Sequence, residues 1–179
     1  MDLPKIFPPI LTERLVLREI IASDLASIFK GLSHPDIIRY YGIHFDTLEA
    51  TREQMAWFAA LVKEEKGIWW AVCDRETEAF LGAGGFNDWN KVHRRAEIGF
   101  WLLPEAWGNG FMKEAMDKIC DFGFTQMGLR RIEGFVETEN TNCKKGLAKL
   151  NFNLEGTMRD YEWKNEKWID LSIYAKLAK

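Results

Sequence analysis

The sequence predicts a mixed α/β fold of the α+β kind, and three observations predict it. A buried strand at 98–103 runs through two glycines into an amphipathic helix that starts near Phe111. Apolar runs at 68–73, 80–86 and 95–103 follow one another across short polar joints, which reads as a meander of three strands. Helical spacing and strand alternation then alternate to the end of the chain.

Taken in order, residues 11–20 alternate like a strand, and Ser23 is placed to cap a helix running to about Leu32, before a break at Pro35. Asp46 with Glu49 has the spacing of a capping box for a helix from Thr47 to about Glu65, bearing Leu48, Met55, Phe58, Ala59 and Val62. The strands at 68–73 and 80–86 join across 74–79. Gly82-Ala83-Gly84-Gly85 lies inside a strand pattern with no helix after it, so it reads as a bent strand or bulge that admits a close neighbour, not as a nucleotide loop. Phe111, Met112, Ala115, Met116, Ile119 and Cys120 form the apolar stripe of the next helix. Residues 131–136 read as a strand, 141–150 as a helix, and 152–162 with 168–175 as a hairpin around Lys164-Asn165-Glu166.

At 179 residues and 47% hydrophobic, the chain suits one well-cored domain spanning 1–179. No apolar run has the length of a membrane span, and residues 1–6 lack a signal peptide's pattern, so the expectation is a cytoplasmic protein without a membrane partner. Cys73, Cys120 and Cys143 form no Cys-x-x-Cys pair, and His34, His44 and His93 are scattered, so neither a disulfide framework nor a metal is expected. A net charge of -3 argues against general nucleic-acid binding and leaves room for docking a basic protein tail. The eight tryptophans lie mostly in strand patterns, which favours core or pocket wall over a carbohydrate platform.

The glycine turn carries the chemistry. The first N–H groups of a helix lack internal partners and bear the positive end of its dipole, and Gly108 and Gly110 have no side chain to block an anion. A pyrophosphate fits such a place. The Gly-Lys-Ser/Thr ending of a Walker loop and the third glycine of a dinucleotide fingerprint are both missing.

From the strand through Trp107-Gly108-Asn109-Gly110-Phe111-Met112, the chain resembles motif A of the GNAT superfamily of acetyl-CoA-dependent N-acetyltransferases. Trp107 and Met112 stand at its outer positions, in the form common among ribosomal-protein alanine and serine N-terminal acetyltransferases. Thr12-Glu13-Arg14-Leu15-Val16-Leu17-Arg18 resembles that branch's opening strand and Ala96-Glu97-Ile98-Gly99-Phe100-Trp101-Leu102 its central strand. Asn140-x-x-Cys143 before Lys149-Leu150-Asn151-Phe152 resembles its Asn-x-x-Ser helix, and Leu154-Glu155-Gly156 the strand that follows. The resemblance implies a mostly antiparallel twisted sheet, splayed at its middle strands, with helices on both faces. It implies acetyl-CoA as co-substrate, with the pantetheine arm along the backbone of Trp101, Leu102 and Leu103. Trp107, Gly108, Asn109, Gly110, Phe111, Met112 and Lys113 would surround the pyrophosphate, and a bulge near Leu103-Pro104 would open the strand edge.

Attack by an amine on a thioester needs a base and a proton for the leaving sulfur. Glu97 alone reads as a surface carboxylate paired with Arg94 or Arg95; the resemblance makes it a candidate base, with Glu162 as competitor. Leu147 occupies the place where many GNAT enzymes carry a tyrosine acid. The resemblance therefore points to Cys143, which replaces the branch's serine and in isolation reads as a small packed side chain, as the proton donor. Asn140 and Lys144 are expected cofactor contacts through hydrogen bonding and phosphate charge. The implied acceptor is the α-amino group of a protein such as a ribosomal protein. Polyamines, aminoglycosides and toxin amines are the small-amine alternatives, and a CoA-binding module without catalysis is the rival from another class. The expected state is monomer or homodimer.

Overall fold

The computed structural model describes residues 7–179; the opening stretch read for targeting, residues 1–6, lies outside the described residues. The strands are β1 (Ile10–Leu11), β2 (Leu15–Glu19), β3 (Ile68–Asp74), β4 (Phe80–Asn90), β5 (Arg95–Leu102), β6 (Arg131–Glu137), β7 (Asn153–Lys164) and β8 (Lys167–Leu177). The helices are α1 (Leu25–Leu32), α2 (Pro35–Ile38), α3 (Arg52–Lys63), α4 (Phe111–Thr125) and α5 (Thr141–Lys149). All strands join one sheet in the order β1-β2-β3-β4-β5-β6-β8-β7. Its neighbours are antiparallel throughout, with β5 and β6 as the parallel exception. No described helix is long and apolar enough to cross a membrane.

Strand periodicity sorts the core into two layers, because successive side chains leave a strand on opposite faces. Ile68, Trp70 and Val72 of β3 pack with Phe86, Ile98, Ile132 and the α4 residues Ala115, Met116 and Ile119. Trp69 points the other way and packs with Ile28, Leu32, Phe58, Ala83 and Trp101, under α1 and α3. Trp70 and Phe86 are wholly buried, and each such side chain stabilises the fold by about 1.5–3 kcal/mol. The glycines of β4 serve the close approach expected of them: a Cβ at Gly82 would lie 2.2 Å from the Trp101 carbonyl oxygen, and one at Gly85 the same distance from that of Ile68.

The α2–α3 region and both ends of the meander differ from the expected boundaries. The strand at 11–20 is interrupted at Thr12, whose Oγ1 accepts from the Leu15 N–H at 2.9 Å, leaving β1 and β2 as separate pieces. Ser23 is not the cap of α1. Asp24 accepts from the Ile21 N–H at 2.9 Å and is held by both terminal nitrogens of Arg18 at 2.8 Å. α1 ends at Leu32 as expected, and Pro35 then opens the separate helix α2, since its fixed φ and missing N–H suit a first helical turn. The Asp46–Glu49 box does not form: Thr47 Oγ1 accepts from Ala50 at 3.1 Å, Glu49 pairs with Arg52, and α3 begins at Arg52. No bulge occurs at Leu103-Pro104. The irregularity lies on the neighbouring strand, between Asn87 and Asn90, where Asp88 has a φ of 50°.

Gly123 tests the packing of α4. Alanine there gains about 0.8–1.0 kcal/mol of helix propensity. Its Cβ would, however, stand 2.7 Å from Phe86 Cζ, and overpacking of this kind costs about 1–3 kcal/mol. Gly123→Ala should therefore lower the urea midpoint; a raised midpoint would show that the helix does not sit this tightly on the sheet.

Candidate functional site

The glycine turn is built as a helix start. After Leu102 a single 3₁₀ turn (Pro104–Ala106) leads to Trp107, and Gly108 and Gly110 follow with φ of 76° and 78°. Gly110 is the N-cap of α4 in the left-handed region, where a side chain carries a strain penalty. Around Gly108 the space is open, so glycine is required there by its backbone angle and not by crowding. Asn109 Nδ2 donates to the carbonyls of Ala106 and Trp107 at 3.2 and 3.0 Å. Lys113 pairs with Asp117 at 2.5 Å along the helix surface.

One residue that matters to this turn was quoted in the sequence only as part of a strand motif. Arg14 Nη1 donates to the Asn109 carbonyl at 2.9 Å, its Nε donates to Glu114 at 2.8 Å, and its guanidinium stands 4.6 Å from the centre of the Phe111 ring. Glu114 also accepts from the backbone N–H of Arg14 at 2.9 Å and from the Thr12 hydroxyl at 2.5 Å. The first turn of α4 is thus tied to the start of β2. The contacts span about a hundred residues of sequence, and no local pattern announces them.

Beside the turn the sheet opens. β5 and β6 pair at Arg95, Ala96 and Glu97 against Arg131, Ile132 and Glu133, and register ends there, although both strands continue. On its other side β5 stays paired with β4. The Leu103 N–H donates to Leu81 at 2.8 Å, which makes that a hydrogen-bonded position of the antiparallel ladder. Such positions alternate, so Trp101 and Gly99 direct their backbone groups to β4, whereas Phe100 and Leu102, beyond the last pair with β6, direct theirs into the gap. Of the expected Trp101, Leu102 and Leu103, Leu102 faces the opening. Its carbonyl accepts from Trp107 Nε1 at 2.8 Å. Phe100 also faces it, and only the ladder phase reveals that.

Glu97 stands at the apex, as the last residue of β5 paired with β6. Even-numbered residues of β5 face α4, so Glu97 lies on the α1–α3 face with Trp101. It is half-buried, and its pKa is pushed up to about 7. Burial is the largest cause, followed by the charge of Asp88, a hydrogen bond with the same carboxylate, and the charge of Glu133; the Asn87 side chain opposes them. The expected pairing with Arg94 or Arg95 is absent: Arg95 goes to Glu133 at 2.8 Å, and Arg94 Nε donates to the Gly128 carbonyl at 2.7 Å. Tyr41, in the α2–α3 segment, packs against the core on this face, its phenol pKa raised by burial and then by the charge of Glu97. The buried indole N–H groups of Trp69 and Trp101, on this same face, have no hydrogen-bond partner among the described residues.

The other sequence candidates fall in different places. Cys143 is half-buried in the first turn of α5, and burial pushes its thiol up to about 11. Gly146, one turn on, packs under Met112 of α4, which brings this helix against the glycine turn. Asn140 caps α5, its Oδ1 accepting from the Cys143 N–H at 3.1 Å, and Lys144 Nζ folds back onto the Thr138 carbonyl at 2.7 Å. Leu147 fills the base of the gap next to Gly134. Glu162 is exposed on β7 and pairs with Ile169.

Residues 14–153 match the family described as acetyltransferase (GNAT) domain. The chain is 38% identical over 170 residues to the N-acetyltransferase YoaA of Bacillus subtilis (strain 168), covering 94% of this chain and 96% of the relative. Two solved structures share the fold at lower identity. One is an acetyltransferase from Salmonella typhimurium that modifies the N-terminal serine of ribosomal protein L7/L12, with a TM-score of 0.85, 19% identity and coverage of 94% and 97%. The other is spermidine N-acetyltransferase from Vibrio cholerae in complex with CoA and spermine, with a TM-score of 0.83, 22% identity and coverage of 93% and 96%. With motif A as a helix start and β5 parted from β6 beside it, this chain belongs to the GNAT family and is an N-acetyltransferase whose co-substrate is acetyl-CoA.

Proposed function

We propose that the enzyme acetylates the α-amino group at a protein N-terminus, and that Glu97 removes the proton from that amine. The observation that carries this reading is the position of Glu97, a half-buried carboxylate with a pKa of about 7 at the apex of two parted strands. Acetyl-CoA supplies the acyl group as a thioester. The backbone groups of Phe100 and Leu102 are oriented to hold an extended arm in the gap, and the Phe100 N–H to polarise a carbonyl there. Residues 108–113 hold the pyrophosphate at the start of α4, with Arg14 fixing the turn and adding positive charge. A base with a pKa of about 7 is better matched to an α-amino group, at about 7.7–8.0, than to lysine, at about 10.4. The Salmonella enzyme's N-terminal substrate supports the same acceptor.

Cys143 stays protonated at neutral pH because burial raises its pKa. That favours proton donation or packing over nucleophilic attack, which needs the thiolate. Glu162, exposed on the edge strand β7, is the weaker candidate base. Trp107, Asn140 and Lys144 act by shaping the turn and the α5 start, given the hydrogen bonds they already make.

Steady-state rates on paired peptides test the acceptor. A peptide with a free α-amino group should react faster than the same sequence blocked at its N-terminus and carrying lysine. Equal rates, or turnover confined to polyamines such as the substrate of the Vibrio cholerae enzyme, would replace this acceptor with a small cationic amine.

For the base, the sign follows from the raised pKa: the active form is the carboxylate, so kcat/KM should fall as pH drops below about 7. Glu97→Gln should remove that limb and most of the rate, while Cys143→Ser keeps most of it. Full activity in Glu97→Gln would reject the base.

Calorimetry addresses the turn. Gly110→Asp puts bulk at a φ of 78° and negative charge beside the pyrophosphate, and Arg14→Met removes the brace. Both should weaken CoA binding, by roughly tenfold or more for Gly110→Asp; unchanged affinity in folded protein would move the pyrophosphate elsewhere.

A further inference from the structure

The segment between α2 and α3 passes over the same face of the sheet as Glu97, and Lys164 ties it down. Lys164 is the last residue of β7, and its Nζ donates to the Arg39 carbonyl at 2.9 Å, to the Tyr41 carbonyl at 3.5 Å, and to Glu137 Oε1 at 2.6 Å. Glu137 is the last residue of β6 and shares a face with Glu133, opposite Ile132 and Val136, which pack toward α4. The side chains of Lys164 and Glu137 are 22% and 10% exposed, so water screens this pair far less than the surface pairs elsewhere. One ammonium therefore joins the tip of a hairpin, the far lip of the gap and the stretch that carries Tyr41. Tyr41 in turn packs on the Glu97 face of the sheet, against the core that holds Trp69 and Trp101, and its phenol feels the charge of Glu97.

We propose that Lys164 is a positioning residue for the acceptor, clasping the Tyr41 stretch on the Glu97 face of the sheet and so fixing the channel by which the amine reaches Glu97. The clasp deepens the assignment of Glu97 and rests on it for its effect on pH dependence. Glu97 is faced by Asn87 and Asp88 from β4, by Glu133 from β6 and by Tyr41 from the clasped stretch. Releasing Lys164 leaves the first three in place and frees Tyr41, which lets water reach the carboxylate. Its pKa should then fall. The pyrophosphate turn is braced separately, by Arg14, and should not respond.

Lys164→Met, Lys164→Arg and Glu137→Gln are to be compared for KM of the amine, KM of acetyl-CoA and the pH profile of kcat/KM. In Lys164→Met the amine KM should rise roughly tenfold, as loss of charge-assisted hydrogen bonds implies. The acidic limb should move below the wild-type value, and the acetyl-CoA KM should hold. Lys164→Arg, which keeps the charge and donors, should restore part of the amine affinity. A merely structural staple would lower the unfolding midpoint without moving the limb or separating the two KM values. Wild-type amine KM and limb in folded Lys164→Met would overturn the proposal. If that variant does not fold, Glu137→Gln poses the same question by weakening one of the three bonds, and an unchanged amine KM there overturns it. Should Glu97→Gln keep full activity, the base assignment falls alone, and a rise of amine KM in Lys164→Met still upholds the clasp.

Discussion

The parting of β5 from β6 is the constraint on which the rest of the site depends. Each strand is held along its other edge, β5 by β4 and β6 by β8, so neither is free to follow the other beyond Glu97 and Glu133. Beneath the opening, Leu147 of α5 packs near Gly134 while Ile98 approaches from the opposite lip, which fills the α4 side of the wedge and leaves the strand edges apart. Unpaired backbone groups in a partly enclosed gap need partners, because a buried amide without one loses much of a hydrogen bond's worth. The Leu102 carbonyl takes the Trp107 indole. Phe100 has its amide turned to the same gap, where an extended ligand can complete the sheet as a strand would.

Electrostatics at the apex follow from how two arginines are shared. Arg95 and Arg131 both go to Glu133, at 2.8 and 2.6 Å, and Arg131 also holds Glu155. These two cations are thus committed to Glu133, and Glu97 has another carboxylate, Asp88, beside it. The β4 irregularity supplies it: with Asp88 at a φ of 50°, the strand turns that side chain toward Glu97, as bulges do when they re-aim a residue. A left-handed aspartate costs backbone energy, and here it stands beside a carboxylate whose proton affinity is raised into the neutral range.

Much of this could be read from the chain because the signals are local. Gly108 and Gly110 announce the start of α4, since two glycines within three residues, both at positive φ, punctuate any pattern. The meander, α5 and the final hairpin follow from periodicity and turn residues. The segment before α3 departs from its local signal because Thr47, and not Asp46, takes the turn, a choice that depends on the backbone angles of a short loop. Side chains whose partners are distant in sequence were out of reach: Arg14 with Glu114, Lys164 with Glu137, Tyr41 near Glu97. Which backbone groups of β5 point into the gap was hidden for a different reason. Ladder phase is set by pairing register with β4, and no residue type encodes it.

Residue-resolved amide exchange by NMR, with and without saturating CoA, tests the central claim most directly. The amides of Trp101 and Leu103 are committed to β4 and should exchange slowly in both states, whereas that of Phe100 should exchange quickly alone and become protected with CoA. A Phe100 amide that is already protected in the free enzyme, or one left unprotected by bound CoA, would contradict the account of a parted strand edge completed by its ligand.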